Sequence, residues 1–101
     1  MENNTLNVSI ELIGVAGTAK SLALQAIKEA QKGDYQQSIK TLEDARTELT
    51  KVHKVHAELI GKEASGEKLD LSLLFIHSQD HLTSAIVILD LAEHIINLYT
   101  K

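Results

Sequence analysis

No proline interrupts the 101 residues, and this constrains the fold more than any other feature. Proline is the strongest helix breaker and a frequent turn former. Without it, the chain offers two polar, glycine-containing joints. The first is Lys32-Gly33-Asp34 and the second is Glu63-Ala64-Ser65-Gly66-Glu67-Lys68. Gly33 suits the left-handed position just past a helix end, and Asp34 suits a helix N-cap. Asp70 or Ser72 would cap the segment after the second joint. The spacing predicts helices over 5–32, 34–63 and 70–99. Short joints make successive helices antiparallel neighbours. The expected fold is therefore all-α, an up-down-up three-helix bundle forming one domain over 1–101.

Apolar residues make up 44% of the chain but aromatics only 3%, so Leu, Ile, Val and Ala must build the core. Net charge is −4, which argues against a general nucleic-acid binder, since that needs a basic patch to release counterions. The absence of cysteine removes disulfides and thiol chemistry and fits a reducing compartment. The N-terminal stretch lacks the basic start and apolar run of a signal peptide. No apolar stretch approaches the roughly 20 residues of a membrane span. A soluble protein, or at most a peripheral one, is expected.

In the first segment, Leu6, Ile10, Ile13, Leu24 and Ile27 keep near-helical spacing. Gly14 and Gly17 lie among them; close helix approach is one reading, and room for a partner or ligand is the other. In the second, Ile39, Leu42, Ala45, Leu49, Val52, His56, Leu59 and Ile60 form a stripe. His53 and His56 belong to that amphipathic pattern. The third segment is the most apolar. Asp90, Glu93, His94 and Asn97 define its wet side. Leu74, Leu82, Leu89, Ala92 and Ile96 form one apolar flank; Val87, Leu91, Ile95 and Leu98 form another. The apolar arc of roughly 220° exceeds the width of about 100° or more typical of a surface helix. Self-association is expected, with a central helix in a monomer as the competing reading.

Polar residues break into that second flank. His77, Asp80 and Ser84 project from it, and His81 lies one turn beyond His77. Buried or interfacial polar groups must be hydrogen-bonded, paired or coordinated. Three uses fit the spacing. A neutral imidazole near an interface is a nucleophile toward a phosphoryl group. Histidines four apart on a helix can bind a metal, and His-x-x-Asp-His echoes the H-x-x-E-H zinc pattern, with a shorter acid in the place of glutamate. Two partly buried histidines can also serve only as structural hydrogen-bond partners. Spacing alone does not choose among a carrier, a metal-binding bundle and a non-catalytic interaction module.

The segment Ser72-Leu73-Leu74-Phe75-Ile76-His77-Ser78-Gln79-Asp80-His81-Leu82-Thr83 resembles the signature of the lactose/cellobiose family of phosphotransferase-system IIA components. Ala16-Gly17-Thr18-Ala19-Lys20-Ser21-Leu22 and both joints are similar to that family as well. The resemblance implies a homotrimer of three-helix subunits in the cytoplasm. It implies that His77 accepts a phosphoryl group from the histidine phosphocarrier protein, forming a phosphohistidine. The group then passes to a cysteine of the IIB component, which serves uptake of a β-linked disaccharide through membrane IIC. By the same resemblance, Asp80 meets its symmetry mates on the trimer axis and shares a divalent cation with them. Oxygen-only ligation favours magnesium. Gln79 and His81 are candidate helpers by proximity, and Ser84 a weaker one. The family motif continues His-Leu-Met, whereas Thr83 follows Leu82 here. Position 83 lies toward the wet side, so the departure bears on a partner surface rather than on the chemistry.

Overall fold

Three helices account for nearly all of the chain in a computed structural model: α1 (Glu2–Gln31), α2 (Tyr35–Ala64) and α3 (Leu73–Tyr99). It describes the backbone of residues 2–100 and the side chains of residues 5–100. Met1 and Lys101, the ends of the expected domain over 1–101, lie outside the described residues. The molecule measures 49 × 20 × 17 Å, a rod whose length is set by helices that run about 40–45 Å.

Both joints close in the same way. Gly33 has φ +89° and Gly66 has φ +104°, a backbone region that glycine enters without a Cβ clash. At the first, Asp34 N donates to Glu29 O at 2.9 Å and Gly33 N to Ala30 O at 3.0 Å. At the second, Glu67 N donates to Lys62 O and Gly66 N to Glu63 O, both at 3.0 Å. These are paired Schellman closures that satisfy carbonyls left over at the helix ends. The helix starts differ from expectation. Asp34 makes no side-chain cap hydrogen bond; only its carbonyl takes part, accepting from Ser38 N at 3.0 Å. Ser72, not Asp70, caps α3 by accepting from Phe75 N at 3.0 Å, so that helix begins at residue 73 rather than 70.

Helix α1 is the central element. It packs along both other helices, whereas α2 and α3 touch each other far less. Its buried face is Val8 and Leu12 followed by Ala16, Ala19, Ala23, Ala26 and Ala30. The expected stripe was wrong in phase: Leu6, Ile10 and Leu24 are 47%, 58% and 51% exposed. Alanine is small enough to let two helices approach α1 at once, so the large side chains are displaced to its flanks. The glycines do not serve this approach inside the subunit. A Cβ at Gly14 or Gly17 would meet no atom within 4 Å among the described residues.

Ala19, Ala23, Ala26 and Ala30 pack with Leu42, Leu89 and Ile96 in one core cluster. Val8, Leu12, Val52, Leu59, Phe75 and Leu82 form a second. On α2, Ile39 and Ile60 are exposed, against expectation. Buried Ser38 takes the contact with α1 instead, donating from Oγ to Ala26 O at 2.7 Å. The Arg46 to Glu93 ion pair at 2.7 Å joins α2 to α3, but exposed pairs of this kind contribute only about 0–1 kcal/mol.

Helix α3 buries its first flank at Leu82, Leu89, Ala92 and Ile96 and leaves the second open. Leu73, His77, Asp80, Ser84, Val87, Leu91 and Leu98 are all exposed. Their spacing alternates between three and four over most of the helix, as in the seam of a coiled coil. The reading of α3 as the covered centre of a monomer is thereby excluded. This apolar surplus also corrects one sequence expectation. Segments Thr5–Gln31 and Leu73–Tyr99 each contain a window of mean hydropathy 1.3 and 1.4 respectively, long and apolar enough to match a span by length and composition alone. The match follows from the alanine seam of α1 and the doubly apolar α3, whose polar residues recur at helical intervals rather than forming an unbroken apolar run.

Candidate functional site

His77 stands on the open flank, just over one turn into α3. Its Nε2 lies 3.0 Å from Nε2 of His81. The rings meet edge to face, with centroids 4.4 Å apart and planes at 87°. Behind them, Lys20 of α1 places Nζ 3.3 Å from His81 Nδ1. The two helices run parallel, as an up-down-up bundle requires, and this brings residue 20 level with residue 81. The other end of the pairing is marked by Gln31 Nε2 donating to the Tyr99 hydroxyl at 3.3 Å.

The proton arrangement follows from the donor inventory. An ammonium only donates, so His81 Nδ1 must accept from Lys20. Neutral His81 then carries its proton on Nε2 and donates it to His77 Nε2. His77 Nε2 accepts with its single lone pair, which puts the His77 proton on Nδ1. His81 is held below the ordinary imidazole value, first by desolvation, then by the Lys20 ammonium and by His77. Asp80 pulls it the other way without prevailing. A neutral His81 is what this hydrogen-bond chain needs.

The other expected residues separate. Asp80 is exposed on the open flank, and within the subunit no hydrogen bond links it to the histidine pair. Among the described residues of one subunit, no cluster of three or more His, Cys, Asp and Glu is arranged to hold a metal. Gln79 faces α2, not His77: its Oε1 lies 2.7 Å from His56 Nε2. Its own Nε2 is buried without a partner among the described residues. Ser84 and Thr83 are exposed, as are His53 and His94. His53 lines a groove of about 310 Å³ with Leu49, Thr50, His56, Leu82 and Ile86. Beside His77, Leu73 and Leu74 line an open apolar recess of about 440 Å³.

Two residues went unassigned in the sequence reading. Lys20 lay within a family-like stretch, and the parallel placement of α1 and α3 was the available signal for its role. His56 was read as part of an amphipathic stripe; nothing in its spacing pointed to Gln79 on another helix.

The bundle thus presents an exposed histidine, paired with a second one turn further on, beside an apolar recess. Residues 7–100 match the family described as PTS system, Lactose/Cellobiose specific IIA subunit, and the chain belongs to that family. The lichenan-specific phosphotransferase enzyme IIA component of Bacillus subtilis is 41% identical over 101 residues, covering 100% of this chain and 92% of that protein. The crystal structure of the cellobiose-specific enzyme IIA of Bacillus anthracis superposes with a TM-score of 0.90 at 35% identity, covering 95% of this chain and 88% of that one. The chitobiose IIA of Escherichia coli, solved in solution in complex with HPr, gives a TM-score of 0.79 at 30% identity over 95% of this chain and 93% of that one.

Proposed function

We propose that this protein is the cytoplasmic phosphoryl carrier of a sugar phosphotransferase system, receiving a phosphoryl group from HPr on His77 Nε2 and passing it to a cysteine of a IIB component. The observation that carries this reading is the exposed His77 imidazole, its Nε2 3.0 Å from His81 Nε2, beside an apolar recess. In the transfer, the His81 N–H moves off the His77 Nε2 lone pair, and an N–P bond forms there while the donor's N–P bond breaks. The electron pair of the broken bond stays on the donor imidazole, and the His77 proton remains on Nδ1. Catalysis here consists of positioning and electrostatics. His81 directs its N–H at the site where charge arrives. Leu73 and Leu74 beside His77 offer an apolar seat for a docked partner and exclude water. The relatives' lichenan, cellobiose and chitobiose labels support a β-linked disaccharide as the imported sugar.

The working unit in this reading is a homotrimer with the open α3 flank from Asp80 onward facing a common axis and His77 left accessible at its edge. Covering Val87, Leu91 and Leu98, which are 50%, 54% and 68% exposed, would bury apolar surface that a monomer leaves in water. The same packing gathers Asp80 with its symmetry mates. Three converging carboxylates repel unless protons or a cation neutralise them. Their oxygen-only donor set fits magnesium, which would supply charge neutralisation at the axis rather than a step of the transfer.

Onward transfer tests the proposal. The phosphorylated protein, freed of HPr, is mixed with a cognate IIB domain, and the phosphoryl group should leave His77 and appear on the IIB cysteine. Retention of the group with a folded, competent IIB present would overturn it.

A further inference from the structure

We propose that Lys20 is a positioning residue for phosphoryl transfer, holding the His81 proton on Nε2, the nitrogen that faces His77. The inference rests on the carrier reading for its consequence, but its geometry stands apart from it. Two facing Nε2 atoms 3.0 Å apart share one proton, and two arrangements satisfy that bond. Either His81 donates to His77, or His77 donates to His81. In the second arrangement His77 Nε2 carries hydrogen and has no lone pair for phosphorus. Nothing in the histidine pair itself selects the first.

Lys20 Nζ at 3.3 Å from His81 Nδ1 makes the selection. An ammonium donates and cannot accept, so it occupies the Nδ1 lone pair and excludes the Nδ1–H tautomer. Among the described residues, Lys20 is the one side chain from another helix hydrogen-bonded to the pair. It is half-buried against α3, on the helix that anchors the whole core. After transfer, His77 Nε2 bears the phosphoryl group and keeps its proton on Nδ1. The His81 Nε2–H then turns from a nitrogen acceptor to a phosphoryl oxygen, with the Lys20 charge behind it. No proton is gained or lost by His77, His81 or Lys20 in this sequence.

The test uses Lys20→Met and Lys20→Arg in the full-length protein. Two-bond ¹⁵N–¹H histidine spectra just above neutral pH report the tautomer directly. Wild type should show a protonated Nε2 and a bare Nδ1 at His81; Lys20→Met should average the two, and Lys20→Arg should restore them. At saturating HPr, the rate of phosphoryl acceptance should fall about ten- to a hundredfold in Lys20→Met. The HPr concentration giving half that rate should stay within about twofold, because docking is not altered. A His81 proton on Nδ1 in wild type overturns the proposal. So does a Lys20→Met protein with an unchanged rate, whatever its spectrum. If wild-type His77 accepts no phosphoryl group, the carrier reading falls by itself. The spectra then decide: loss of the Nε2–H tautomer in Lys20→Met supports the Lys20 hold, and its persistence refutes it.

Discussion

Leu89 and Leu91 are the same residue type two positions apart on α3, and they should respond to alanine in different ways. Leu89 is 2% exposed and packs in the alanine core with Leu42 and Ile96, while Leu91 is 54% exposed on the open flank. Truncation removes three carbons. For Leu89 the lost transfer energy is about 0.8 kcal/mol per carbon, roughly 2.4 kcal/mol in all. Incomplete collapse of the cavity raises this to about 3–5 kcal/mol. With an unfolding entropy of about 0.2 kcal/mol/K for a chain of this length, Tm should drop by roughly 15–25 °C. For Leu91 the subunit itself loses about half that burial, near 1 kcal/mol. If the flank is the assembly seam, the larger effect of Leu91→Ala is on association. Urea denaturation followed at several protein concentrations, with sedimentation equilibrium alongside, separates the two. Leu89→Ala should lower the midpoint at every concentration. Leu91→Ala, and more strongly Leu91→Asp, should shift mass from trimer toward monomer and make the midpoint less concentration-dependent than in wild type. A Leu91→Asp protein that keeps wild-type mass at low micromolar concentration would refute the seam.

Gly61 on α2 is exposed, and a Cβ there meets no atom within 4 Å among the described residues. Gly61→Ala should raise stability by about 0.5–1 kcal/mol in chemical denaturation. Gly14→Ala should do the same for the isolated subunit, and a fall in trimer content would show that the glycine makes room for a neighbour. Ser72→Ala removes the oxygen that accepts from Phe75 N and should cost about 1 kcal/mol, read as a lower urea midpoint. His81 is held below the ordinary imidazole value in the folded protein, chiefly by desolvation and then by Lys20 and His77. The unfolded chain therefore takes up this proton first as pH falls. The contribution to stability is complete above the unfolded value of about 6.5 and is lost as pH drops through the lower folded value. Denaturation midpoints measured stepwise through that window should decline, and His81→Gln should flatten the decline.

The joints were legible in the sequence because glycine at a left-handed position is a local requirement: Gly33 and Gly66 close their helices by the same backbone bonds. The two flanks of α3 were legible too, since a helical wheel needs only one helix. What escaped was relational. The face of α1 was misread because alanine carries little hydropathy signal, yet Ala16, Ala19, Ala23, Ala26 and Ala30 form the seam on which both neighbours pack. Asp34 looked like a cap by type, but its side chain takes no part. His77 and His81 were found together because one turn of one helix joins them. Lys20 and His56 act across helices, at separations of 61 and 23 residues from His81 and Gln79, where periodicity has no reach. Gln79 was placed near His77 by sequence proximity, although two residues along a helix point to opposite sides.

Intact mass spectrometry of the purified protein after incubation with phosphoenolpyruvate, enzyme I and HPr tests the central claim. Wild type should gain one acid-labile phosphoryl group per chain, and His77→Ala should gain none while keeping its fold and assembly. A His77→Ala protein that is still phosphorylated, or a folded wild type that gains nothing from competent HPr, would contradict His77 as the carrier.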